Sequence, residues 1–98
     1  MPQLTRIVVA IDPSGARGEE DKRSDEIGIV VVGRGIDGRA YVLEDLSCRL
    51  GPNGWARVAV EAYHRHKADA IVAETNFGGA MVEETIRVQD PNVPFREV

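Results

Sequence analysis

Apolar positions along this chain fall into blocks of different period. Residues 6–12, RIVVAID, hold an unbroken apolar run from Ile7 to Ile11 that stops at Asp12. A run without alternation predicts a strand buried on both faces. Pro13, Ser14 and Gly15 then turn the chain. Residues 13–26, PSGARGEEDKRSDE, read as a long polar loop, and residues 27–33, IGIVVVG, as a second, β-branched strand. RGIDG (34–38) carries the Gly and Asp-Gly signals of a hairpin, so residues 39–47 predict a third strand antiparallel to the second.

The period changes after GPNG (51–54). A helix is expected from near Asn53, with Asn53 as its N-cap. Trp55, Val58, Ala59, Ala62 and Tyr63 recur at helical spacing and give one apolar stripe, with Trp55 anchoring the helix to the sheet. His64, Arg65, His66 and Lys67 crowd the last turn, where cations suit the helix dipole. His64 and His66 are two apart and face different ways, so a solvated helix end is expected rather than a pair of co-ligands. Residues 69–74 predict a fourth strand. A turn over 76–79 leads to a second helix with Val82, Thr85, Ile86 and Gln89 inward, and PFREV begins a fifth strand.

Two of these strands end in an acid. If strand four lies beside strand one and parallel to it, the first helix covers one sheet face as right-handed crossovers do, and the two strands sit about 4.8 Å apart. Asp12 and Glu74 then emerge side by side at the carboxyl edge, where open α/β sheets hold ligands. Strand two runs back to the same edge, bringing Asp25 with it. Neighbouring carboxylates repel unless a proton or cation intervenes. Oxygen donors without thiolate or imidazole favour Mg²⁺ or Mn²⁺ over zinc. Two such ions about 3.5–4 Å apart can activate water and stabilise the leaving oxygen in phosphodiester cleavage. The plainer alternative for Asp12 is a turn opener before Pro13, its side chain bonding the following backbone.

Composition narrows the setting. The 98 residues suit one small domain, and 43% apolar with 29% charged residues suits a folded chain. A net charge of −4 weighs against holding nucleic acid by charge alone, but not through ions on carboxylates. Cys48 is the sole cysteine, which excludes an internal disulfide, and no His or acid frames it as a catalytic thiol. Without a leader-like segment or a run of about 20 apolar residues, a cytoplasmic protein is expected.

VVAIDPSG, SDEIGIVVVG, GRAYVLEDLS and GPNGWARVAVEAYHRHKADAIVAETNFGGAMVEETIR together resemble the C-terminal nuclease domain of phage terminase large subunits, the DNA-packaging motors of tailed phages and prophages. ADAIVAETNFGGAMV is the most specific part. The resemblance implies an α/β, RNase H-like fold: a mixed five-stranded sheet of order 3-2-1-4-5 with flanking helices. Residues 1–98 would be a single partial nuclease domain whose C-terminal part is missing. It implies metal-dependent endonucleolytic cleavage of concatemeric double-stranded DNA, with Asp12 and Glu74 as catalytic metal ligands and Asp25 as an auxiliary acid. Two ions, Mg²⁺ or Mn²⁺, are expected in the complete domain. The implied partners are double-stranded DNA, the terminase ATPase domain, the small subunit and the portal protein, in the bacterial host cytoplasm and away from membranes.

Arg17, Lys22, Arg23, Asn76, Gly78 and Gly79 are candidate DNA contacts, with a solvated charge run and a tight turn as their plainer readings. The family's third acid lies on a helix beyond strand five, and no G-x-x-x-x-G-K-[ST] phosphate loop occurs here. The chain is therefore expected to be a fragment, weak or inactive alone. Two other readings stand beside this one. One is an inactive remnant acting as a docking module; the other is an actin-like ATPase fragment, suggested by DPSG and NFGG.

Overall fold

The computed structural model describes residues 2–12, 27–73 and 79–97. Its elements are β1 (Leu4–Asp12), β2 (Gly28–Gly35), β3 (Ala40–Asp45), α1 (Pro52–Arg65), β4 (Ala70–Ala73), α2 (Gly79–Gln89) and β5 (Phe95–Glu97). The strands form one mixed sheet of order β3-β2-β1-β4-β5. β1 lies at its centre, antiparallel to β2 and parallel to β4, as the order of elements predicts. β5 continues the sheet parallel to β4.

Strand alternation decides what each face meets. Val9 and Ile11 of β1, Ile29 and Val31 of β2, and Ile71 and Ala73 of β4 are buried. Trp55, Ala56, Ala59, Val60 and Ala62 of α1 close over them, together with Val82 and Ile86 of α2. Both helices lie on this one face. They follow crossovers that step across the sheet in the same direction, and right-handedness then puts them on the same side. The expectation that β1 is buried on both faces is therefore corrected. On its other face Val8 and Ala10 are half-buried, while Arg6 and Asp12 are exposed.

The crossover is fastened where it re-enters the sheet. Asp69 Oδ2 accepts from the Ile7 amide at 2.8 Å, and the Asp69 amide donates to the Ile7 carbonyl at 2.6 Å. This side chain stands in for a ladder partner and sets β4 level with β1. At the opposite edge Ile27 and Cys48 exchange two backbone bonds, of 2.7 and 3.0 Å, which fix the point where the chain enters β2.

Helix α1 departs from the sequence expectation in its N-cap and in part of its buried stripe. Its N-cap is Gly51, extended at φ −68° and ψ 178°, with no side-chain cap bond, so Asn53 already lies inside the helix. Pro52 causes the shift, because its fixed φ and missing N–H suit the first helical position. The buried stripe is also rotated: Ala56 and Val60 are buried, whereas Val58 and Tyr63 only pack against the core margin. Trp55 is buried as expected.

The basic end of α1 is not merely solvated. His64 Nε2 lies 2.9 Å from Asp90 Oδ2. His66 Nε2 and Arg65 Nη2 both reach Glu44 Oε1, at 2.8 and 2.6 Å. The two histidines do face different partners, on β3 and beyond α2. Hydrogen bonding to His66, then to Arg65, holds the Glu44 carboxyl below its ordinary range. The bonds from His64 and from the Asn92 amide do the same for Asp90.

A carboxyl whose folded pKa is depressed stabilises the fold above its unfolded pKa and loses that contribution as pH falls through the folded value. The melting temperature should thus change little from these two groups at neutral pH and fall on acidification below the ordinary carboxyl values of 4.5 and 3.8. Thermal melts across that range should show a shallower acid fall in Glu44→Gln/Asp90→Asn than in the wild type. Parallel curves would refute the assignment.

Candidate metal centre at the carboxyl edge of the central strand

Asp12 is the last residue of β1 and the register partner of Gly28, the first residue of β2. Its exposed side chain belongs to the sheet face without helices, in line with Ala10. On the other side of β1, Ile11 pairs with Ala73, the last residue of β4. The two parallel strands therefore run level to within a residue of their ends, as the edge argument requires. Glu74 follows Ala73 in the chain but lies outside the described residues. So do Asp25, Arg17, Lys22, Arg23, Asn76 and Gly78; Gly79 is the first residue of α2.

Beside Asp12 the sheet face sinks into a cleft of about 340 Å³, lined by Ala10, Asp12, Gly28, Val30, Val72 and Ala73. Gly28 keeps the space open. A Cβ there would stand 3.4 Å from the Asp12 Cβ and 3.5 Å from its carbonyl oxygen, so alanine only touches while a longer side chain fills the cleft. Sequence reasoning missed Gly28. The available signal was a glycine at the head of a β-branched strand, a place where something approaches the backbone closely.

One further acid ends a strand near this edge. Asp45, the last residue of β3, pairs with Val30 of the cleft wall. Its Oδ1 accepts from the Ser47 amide at 3.0 Å. The bonds from Ser47, backbone first, hold the Asp45 carboxyl below its ordinary range. Asp45 is thus engaged in shaping the turn after β3, and Ser47 Oγ in turn accepts from the Ile29 amide at 3.2 Å.

The donor chemistry suits a hard divalent cation. The cleft's lining includes the Asp12 carboxylate and no imidazole or thiolate. Among the described residues no group of three or more His, Cys, Asp or Glu gathers around one point. The described part supplies Asp12 and the space beside it. Among the described residues no helix is long and apolar enough to cross a membrane.

The family model of the terminase RNase H-like domain matches residues 9–97. Among solved structures, RuvC of T. thermophilus in complex with Holliday junction substrate is similar at 19% identity and a TM-score of 0.64, over 94% of this chain and 65% of that one. Fowlpox virus resolvase with Holliday junction DNA is similar at 9% identity and a TM-score of 0.53, over 94% of this chain and 58% of the resolvase chain. The nuclease domain of the large terminase subunit gp2 of bacterial virus Sf6, with manganese and β-thujaplicinol, is similar at 17% identity and a TM-score of 0.52, over 97% of this chain and 37% of that one. At these identities the likeness establishes a common RNase H-like fold. The chain spans less than two thirds of the length of each of these structures. No curated protein sequence matches it.

Proposed function

Because the chain belongs to the terminase RNase H-like domain family, we propose that it is part of the nuclease that cuts concatemeric double-stranded DNA during phage packaging. The observation that carries this reading is the position of Asp12. It ends the central strand of the sheet, at the mouth of a cleft that Gly28 keeps open. Asp12 and Glu74 would hold a divalent ion, with Asp25 as an auxiliary acid. The manganese in the Sf6 terminase nuclease supports an ion of this class. A divalent ion bound there would polarise a phosphoryl oxygen and lower the pKa of a bound water.

The chain's own residues would do the positioning. Asp12, fixed at the end of a strand bonded on both sides, presents its carboxylate at the cleft mouth. Gly28 leaves room for a phosphate beside it, and Val30 and Val72 give the cleft an apolar floor that limits water. Arg17, Lys22, Arg23, Asn76, Gly78 and Gly79 are the proposed contacts along the DNA. The terminase ATPase domain, small subunit and portal protein are the proposed assembly partners.

Plasmid cleavage tests the reading. With Mn²⁺, this chain should convert supercoiled DNA slowly at most, whereas a longer version that carries the family's third acid should nick and linearise it. In that version both Asp12→Asn and Glu74→Ala should stop the conversion. Cutting that survives either substitution would overturn the assignment. Metal binding without cutting by that longer version would reduce the chain to an ion-binding docking module.

A further inference from the structure

The sheet face that carries Asp12 has a second polar feature at its other end. Arg6 of β1 and Arg34 of β2 are register partners across the antiparallel pair. A register irregularity between Leu4 and Arg6 accompanies this pairing. Both arginines are exposed. With Val8, Val32 and Gly38 they line a recess of about 390 Å³. Like charges directly opposite each other on neighbouring strands destabilise a sheet. Among the described residues no carboxylate relieves this pair, since the ion pairs there involve His64, Arg65, His66 and Arg87. Two guanidinium forks above a shallow apolar floor make a receptor for an anion that both can share.

The spacing suits an extended polyanion. Arg6, Val8, Ala10 and Asp12 share one face of one strand, so Arg6 lies six residues, or about 20 Å, from Asp12. Duplex DNA advances about 3.4 Å per step along each strand, so the same span is about six base steps. The chain is acidic overall, with a net charge of −4, so binding to a polyanion must come from local basic positions such as this pair. We propose that Arg6 and Arg34 form a phosphate clasp that grips the backbone of duplex DNA about six base steps from the point addressed by Asp12. The proposal rests on the nuclease reading of Asp12 and adds a second contact to it. The clasp sets where the duplex lies and carries no base sequence information.

Fluorescence anisotropy of a labelled duplex, titrated with the full chain at several salt concentrations in Ca²⁺, tests the clasp. Arg6→Gln and Arg34→Gln should each lower the slope of log K against log salt by about 1, and the double variant by about 2, equally for unrelated sequences. Lysine at both positions should restore the slope, because it keeps the charges. Thermal melts of these exposed-site variants should match the wild type, which separates a binding loss from misfolding. An unchanged slope in the double variant overturns the clasp. If the double variant instead loses affinity only for polyglutamate, the pair serves an acidic protein segment and the proposal fails. A wild-type chain that binds no duplex also overturns it, while the metal-dependent melt of Asp12 variants still judges the nuclease reading separately.

Discussion

Asp12→Asn should abolish the rise in melting temperature that Mg²⁺ or Mn²⁺ gives the wild-type chain. An ion that binds only the folded state at 100 times its Kd stabilises by about 2.7 kcal/mol. A domain of this size gains about 4–8 °C per kcal/mol, so the wild-type rise should be roughly 10–20 °C at such a concentration. Asparagine keeps the shape of the side chain but removes its charge and offers a cation one neutral oxygen. Gly28→Leu attacks the same event from the other side, filling the cleft beside Asp12 while leaving the charge of the carboxylate in place. Both variants should melt at temperatures indifferent to the ion, as read by circular dichroism with and without EDTA. An equal rise in Asp12→Asn would place the ion elsewhere on the molecule.

The largest loss of stability should come from Ile71→Ala. Ile71 is fully buried in β4, paired with Val9 on one side and Phe95 on the other, beneath the helices. Truncating such a residue costs about 2–5 kcal/mol, because the neighbours only partly close the space. Against a total of about 5–15 kcal/mol for a small domain, that is a large share. The expected fall in melting temperature is roughly 10–30 °C. Val88→Ala is the matched control, since Val88 is 74% exposed on α2 and should change stability by less than about 0.5 kcal/mol. Similar small effects in both would mean that β4 is not packed as described.

The sheet was largely legible in the sequence because strands announce themselves through β-branched runs, and crossover handedness leaves few ways to arrange them. The central place of β1, the direction of each neighbour and the edge position of Asp12 all followed. What was not legible depended on neighbours far along the chain. A continuous apolar run could not tell whether both faces of β1 were covered, since that turns on which side the helices take. The α1 stripe was right for Trp55, Ala59 and Ala62 but missed Ala56 and Val60, which the sheet buries alongside them. The N-cap was misjudged because Pro52 and Asn53 compete for adjacent roles, and proline's geometry won. His64 and His66 looked solvated because Asp90 and Glu44, their partners, are more than twenty positions away. Gly28 was overlooked because a missing side chain leaves no pattern, only room. Of the three acids expected at the edge, the described residues include Asp12 alone.

The central position of β1 has a consequence for ion capture. A ligand on a wandering loop must surrender its conformational entropy when it binds, and fixing one residue's backbone costs about 1–2 kcal/mol. Asp12 ends a strand whose neighbouring residue, Ile11, is registered against Ile29 on one side and Ala73 on the other. Its backbone freedom is therefore lost when the sheet forms, not when the ion arrives. The affinity of this carboxylate is spared that penalty, and the fold bears it instead as a small part of the cost of ordering a strand the core already requires.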